Sequence, residues 1–338
     1  IYNKIKMINS YIKGITYYVP DKVITNNDLS KLMDTSDEWI RTRTGIHQRH
    51  SVGDTQQGPS DLAAKAAEKL LIDQNINKED IDFVVFATST PDYFVPGSGS
   101  VFQAKLGLNN IGVLDIRQGC AGFIYALTVA NNFIKSKTYK NILVVGAEVQ
   151  TTQLDFDDEG RGTAVLFGDG AAACLLSSTT DATKGILSTH LHSDGKYINE
   201  LGTVHPSSRY KDIITTEDVK KRKHHIHMNG REVFKHAVRR FPEVILEGLE
   251  YNNLTTDDVG LVIPHQANFR ITQAVIKQLK ISPDKVFSNI HKYGNTTAAS
   301  VGIALSEALK QNKINKNDLV VLAAFGAGWY WGSVIIRW

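Results

Sequence analysis

The feature that most constrains this chain is an internal duplication. KEDIDFVVFA, ending at Ala87, resembles TTDDVGLVIPH, whose last residue, His265, lies 178 positions on. DIRQGCAGFIYAL sets Cys120 where NIHKYGNTTAASVGIAL sets Asn295, 175 positions later, and NILVVGAE matches NDLVVLAAFG with Leu143 and Leu319 separated by 176. A single period of about half the chain excludes a solenoid of short repeats and predicts two related α/β halves. The matched apolar runs read as strands buried on both faces. Phe123, Leu127, Ala130 and Ile134 share one helical face, as do Val301, Leu305 and Leu309. The polar stretch SSTTDATKG, Ser177 to Gly185, suits the connection, which divides the chain into residues 1–178 and 179–338. Halves packed about a pseudo-twofold axis bring equivalent positions, Cys120 and Asn295 among them, toward each other.

Composition sets outer bounds. At 338 residues the chain accommodates two units of roughly 150 residues, and 42% hydrophobic content supplies a large core. Lys and Arg number 38 against 35 Asp and Glu, for a net charge of +3, which argues against a nucleic-acid polyelectrolyte binder. The two cysteines, Cys120 and Cys174, form no CxxC pair, so neither a disulfide framework nor a cysteine zinc site is expected, and a reducing cytoplasm fits. No apolar run reaches the roughly 18 residues of a spanning helix. The opening IYNKIKMINSYIKG lacks an apolar segment followed by a cleavage site, so the chain reads as unexported, with Met7 a candidate start.

Cys120 follows Gly119 at the start of a helical pattern, where unpaired amides and the positive dipole end are expected to lower its pKa. The alternative is a small buried apolar residue, the reading that Cys174 within AAACLL takes. His265 ends an apolar strand where open α/β sheets place their ligands, although a lone histidine there is more often structural. Asn295 reads equally as a helix N-cap. Gly326, Ala327 and Gly328 follow a strand and can aim backbone amides at a developing oxyanion, or form an ordinary turn. Gly168, Gly170 and Ala173 match G-x-G-x-x-A, but strand-like residues follow, so the dinucleotide reading fails its context. KKRKHHIH, Lys220 to His227, lacks a carboxylate or cysteine to complete a metal site and reads as a solvated loop or a surface for an acidic partner.

DTSDEWIRTRTGI (Asp34 to Ile46), DIRQGCAGFIYAL, RGTAVLFGDGAA, HQANFRI, YGNTTAAS and FGAGWYWGS together closely resemble the β-ketoacyl-acyl-carrier-protein synthase III family of the thiolase-like superfamily. The motifs run in the family's order from Asp34 to Ser333. The resemblance implies an α/β, thiolase-like fold, a duplicated five-layered αβαβα sandwich, and usually a homodimer. It implies no cofactor, with acyl-coenzyme A and malonyl-acyl carrier protein as substrates in fatty-acid initiation. Cys120 is implied to hold the acyl group as a thioester, with the amides of Cys120 and Ala327 as its oxyanion hole and His265 and Asn295 binding the malonyl thioester carbonyl. Trp39 and Arg43 match positions near the adenine of coenzyme A, and Arg161 and Arg270 match basic positions at the tunnel mouth. Arg270, Lys220, Lys221 and Lys223 are candidates to meet the acidic carrier protein.

Departures from the family pattern bear on the primer. Val95 stands where the partner subunit often contributes a bulky aromatic residue to the acyl pocket. Arg117 and Gln118 replace small residues before the cysteine, and the stretch from Gly202 to His227 is long. These changes lead to the expectation of acyl primers longer than acetyl, or β-ketoacyl acceptors, in a specialised resorcinol- or quinolone-like pathway. Residue types alone also allow a cysteine acyl hydrolase in which His265 activates Cys120, or a noncatalytic acyl-binding module.

Overall fold

The structure, a computed structural model, describes residues 8–338, so Met7 lies outside the described residues. The first half contributes β1 (Asn9–Tyr18), β2 (Phe83–Ala87), β3 (Gly112–Ile116), β4 (Asn141–Glu148) and β5 (Gly170–Thr179), in the spatial order β1-β5-β4-β2-β3. The second contributes β6 (Gly185–Ser193), β7 (Val259–Pro264), β8 (Leu319–Gly326) and β9 (Tyr330–Arg337), in the order β6-β9-β8-β7. Strand directions repeat with the order. β2 runs parallel to β4 as β7 runs parallel to β8, and the remaining partners of β4 and β8 are antiparallel. β3 has only a remnant counterpart, a single parallel bridge between Val262 and Val286.

Alternation along the strands builds the layers, because successive side chains point to opposite faces. In β2, Val85 and Ala87 join a central cluster with Phe123 and Leu127 of α4 (Gly122–Lys135) and Val301 and Leu305 of α7 (Ala299–Lys310). Val84 and Phe86 point the other way, against α2 (Pro59–Asp73) and α3 (Ser98–Leu106). In β8, Val320 and Leu322 meet the same central cluster, whereas Val321 and Ala323 pack with α5 (Gly230–Tyr251) and α6 (Phe269–Leu279). Helix, sheet, helix, sheet and helix therefore follow in five layers. The helical faces read from the sequence are those that pack centrally: Phe123, Leu127, Ala130, Ile134, Val301 and Leu305 are buried there and Leu309 packs against them.

The G-x-G-x-x-A segment runs directly into β5 with no helix after it. Cys174 is buried in the central core. Two insertions break the repeat. Residues 149–169 separate β4 from β5, whereas only residues 327–329 turn β8 into β9, and residues 194–229 lie between β6 and α5. Residues of both insertions, Gln150 and Leu201 among them, line a cavity that Cys120 also meets.

Candidate active site

Cys120 sits on a short 3-10 turn, Gly119–Ala121, between β3 and α4, and the helix proper begins at Gly122. Gly119 takes a positive φ of 49°, a conformation that side chains disfavour. Across from it, a Cβ at Gly326 would stand 2.7 Å from the Cys120 Cβ and 2.8 Å from its nitrogen, so only glycine allows the β8–β9 turn to come this near. The close approach lets the amides of Cys120 and Ala327 both hydrogen-bond the sulfur.

The thiol is not activated in the way the helix start predicts. Burial, with the neighbouring Glu148 carboxyl, pushes its pKa up to about 12 and outweighs the two amides. Desolvation is set by the whole site and the helix-end field only by local chain, which is why the sequence reading had the wrong sign.

His265 follows β7, its N–H donating to the Ala323 carbonyl at 2.8 Å. The ring is 2% exposed, and burial pulls its pKa down to about 3, which leaves it neutral. Nδ1 lies 2.5 Å from Ser300 Oγ, and that oxygen accepts from the Gln266 N–H at 3.4 Å. Nε2 is buried with no protein partner.

Asn295 is not a helix N-cap. α7 is capped at Ala298, three residues after Asn295, and without a side-chain bond. The Asn295 Oδ1 instead accepts from the Thr297 N–H at 2.8 Å, which fixes the carboxamide and leaves its NH2 group uncommitted among the described residues. Backbone bonds to Leu166 and Gly168 seat the segment against the 149–169 insertion.

Cys120, His265 and Asn295 line one cavity of about 120 Å³, walled by apolar residues that include Phe234, Phe241 and Phe325. Asn268 and Ile271 line its flank, and between them Arg270 is exposed at the start of α6. A second cavity of about 430 Å³ shares Cys120 and also meets Gly119 and Ala327, but neither His265 nor Asn295 lines it.

Three of the residues matched to coenzyme A contacts gather on α1 (Asp37–Thr44) and beside it. The Arg43 guanidinium carbon lies 4.8 Å and that of Arg161 5.4 Å from the Trp39 ring centroid. Ser36 caps this helix through the Trp39 N–H, and Asn268 Nδ2 donates to the Arg43 carbonyl at 3.1 Å, tying the cluster to the start of α6. Val95 is 79% exposed and lines neither cavity within this chain.

The basic run is not a uniform solvated patch. Lys223 bonds Asp218 at 2.9 Å, Lys221 pairs with Glu217 at 3.2 Å, and Arg222 reaches Asp155, Asp157 and Glu159 on the 149–169 insertion. Lys220 is exposed with no ion pair among the described residues.

Two contributors escape sequence reasoning. Ser300 positions the histidine, and Glu148 is completely buried at the end of β4, where Ser89, Thr90 and the Ala298 N–H surround its carboxyl. Both stand inside segments that the repeat singles out, NILVVGAE and YGNTTAAS, but a single serine or glutamate there carries no distinctive pattern.

The sequence of the 3-oxoacyl-[acyl-carrier-protein (ACP)] synthase III family matches residues 114–195, and that of its C-terminal region matches residues 249–338. The β-ketoacyl-[acyl-carrier-protein] synthase III of Caldanaerobacter subterraneus subsp. tengcongensis is 44% identical over 332 residues, 97% of each chain. That of Clostridioides difficile is 44% identical over 327 residues, 97% of this chain and 98% of the relative. Among solved structures, 3-oxoacyl-[acyl-carrier-protein] synthase III from Aquifex aeolicus superposes with a TM-score of 0.88 at 41% identity, over 97% of this chain and 100% of its own. The Thermus thermophilus β-ketoacyl-[acyl-carrier-protein] synthase III gives 0.89 at 39% identity, over 97% and 99%. Likeness of this extent, over a five-layered fold with Cys, His and Asn at one cavity, places the chain in the 3-oxoacyl-[acyl-carrier-protein] synthase III family.

Proposed function

We propose that this chain catalyses a decarboxylative Claisen condensation that initiates fatty-acid synthesis, joining an acyl-coenzyme A primer to malonyl-acyl carrier protein. The observation that carries this reading is the shared cavity, in which a nucleophilic sulfur faces two neutral nitrogen-bearing side chains.

In the first half-reaction the Cys120 sulfur attacks the acyl thioester carbonyl. The new S–C bond forms, the bond to coenzyme A sulfur breaks, and the proton lost by Cys120 leaves with coenzyme A thiol. The Cys120 and Ala327 amides stabilise the tetrahedral oxyanion. Arg43 and Arg161, stacked about Trp39, hold the nucleotide end of coenzyme A, with Arg270 at the mouth.

In the second half-reaction the malonyl thioester carbonyl lies against His265 and Asn295. In this reading Ser300 Oγ, which accepts from the Gln266 N–H, donates its own proton to His265 Nδ1, and the imidazole proton resides on Nε2, which has no protein partner. Loss of carbon dioxide places negative charge on the thioester oxygen, where Nε2–H and the Asn295 amide receive it. The enolate carbon attacks the acyl-Cys120 carbonyl, the new C–C bond forms as the C–S bond to Cys120 breaks, and the departing thiolate takes up a proton from solvent. A permanently neutral amide and a histidine held neutral by burial keep both donors independent of pH near neutrality.

The working unit in this reading is a cytoplasmic homodimer of two duplicated halves, 1–178 and 179–338, with Val95 reaching the partner's acyl pocket. The reaction needs no cofactor. Arg270 and Lys220 meet the acidic carrier protein, with Lys221 and Lys223 flanking them. No helix among the described residues is long and apolar enough to cross a membrane.

The test is to supply an acyl-coenzyme A and malonyl-acyl carrier protein together. Carbon dioxide and a β-ketoacyl carrier protein in equal amounts are expected. Free acid alone would reveal a hydrolase, and stable acylation with no product an acyl-binding module; either overturns the reading.

A further inference from the structure

The larger cavity carries a feature that the condensation does not use. Gln150 is 2% exposed, and its Nε2 donates to Ser89 Oγ at 3.2 Å and to Glu148 at 3.4 Å. Those bonds fix the carboxamide of this cavity-lining residue, and its Oε1 is left buried with no partner. Thr297, 4% exposed and in the wall of the same cavity, carries a second unpartnered oxygen, Oγ1. Asp92 Oδ2 and His224 Nδ1 are unpartnered there as well. The four residues that carry these orphaned atoms line the chamber beside the nucleophile.

A plain alkyl primer would cover these atoms and satisfy none, an arrangement that buried polar groups resist. An anionic tail meets the Asp92 carboxylate and, behind Gln150, the Glu148 carboxyl, while Arg117, the cation at this cavity, is exposed. A neutral hydroxyl fits instead. With a small shift of the two side chains toward the cavity, it donates to Gln150 Oε1 and accepts from the Thr297 hydroxyl.

Resting on the proposed acyl capture by Cys120, we infer that the primer chamber selects an acyl thioester bearing a hydroxyl group, with Gln150 and Thr297 as the specificity-determining residues. The acylation step is unchanged: the cysteine sulfur displaces coenzyme A thiol, and the hydroxyl takes no part in bond making.

The experiment offers the full-length enzyme 2-, 3- or 4-hydroxybutyryl-coenzyme A, each in competition with butyryl-coenzyme A, and reads acyl-Cys120 by intact mass. At least one hydroxy isomer is expected to acylate about tenfold faster than butyryl, because a site built for a hydroxyl discriminates against its absence. In Gln150→Leu the preference is expected to fall to about unity or to reverse toward butyryl. Equal or slower acylation by all three hydroxy isomers in the unmodified enzyme overturns the inference, and this arm stands if the variant fails to fold. Acylation by none of the four thioesters overturns the proposed function instead.

Discussion

Replacing Glu148 with glutamine tests whether a buried carboxyl beside Cys120 sets the electrostatics of the site. Burial raises this carboxyl from 4.5 to about 7, against the opposing pull of bonds from Thr90, Ser89 and Ala298. Between those values the folded chain keeps a proton that the unfolded chain has lost. Stability therefore falls as pH rises through this window, with the contribution complete below about 4.5 and lost above about 7. The difference corresponds to on the order of 3 kcal/mol. Glutamine has no such proton, and the remaining titrating groups are common to both proteins. Denaturant unfolding at pH 5, 6, 7 and 8 should show the unmodified chain losing on the order of 3 kcal/mol more than Glu148→Gln over this range. The same substitution removes a negative charge that holds the Cys120 thiol up, so iodoacetamide should alkylate Cys120 faster in the variant at pH 8.5. Stability profiles that stay parallel across the range would refute the assignment.

Three further outcomes follow from the packing and the site. Gly326→Ala should separate the Ala327 amide from the sulfur, because its Cβ meets Cys120 at 2.7 Å; acylation measured by intact mass should fall, with a destabilisation of about 1–3 kcal/mol in thermal unfolding. Trp39→Ala leaves Arg43 and Arg161 without their shared ring, so KM for acyl-coenzyme A should rise several-fold with kcat little changed, since contacts remote from the reacting atoms contribute mainly binding. Leu127→Ala in α4 should cost about 2–5 kcal/mol, read from denaturant midpoints, because the side chain is completely buried between the sheets.

Much of this architecture is legible in the chain because its signals are local or repeated. Apolar runs with small helix-opening residues recur at almost constant separation, and they give the paired sheets, the two central helices and the meeting of Cys120 with Asn295. His265 is legible as the residue at which an apolar strand ends. What escaped depends on atoms brought together from distant segments. The rise of the thiol pKa comes from burial and from Glu148, against which the local helix-end argument is weak. Asn295 looks like a cap because asparagine favours caps, yet the extra residues before α7 turn its carbonyl to Thr297 and free its amide. The basic run looks solvated until Arg222 is seen beside Asp155, Asp157 and Glu159, more than sixty positions away.

The division of labour at the shared cavity is tested most directly by following carbon dioxide release from malonyl-acyl carrier protein, alongside the mass of the enzyme after acyl-coenzyme A treatment, in three variants. Cys120→Ala should take up no acyl group yet still release carbon dioxide. His265→Ala and Asn295→Asp should become acylated but release carbon dioxide about 10²–10³ times more slowly, the cost of losing one oxyanion donor. Decarboxylation at the full rate in both of the latter variants would contradict the account.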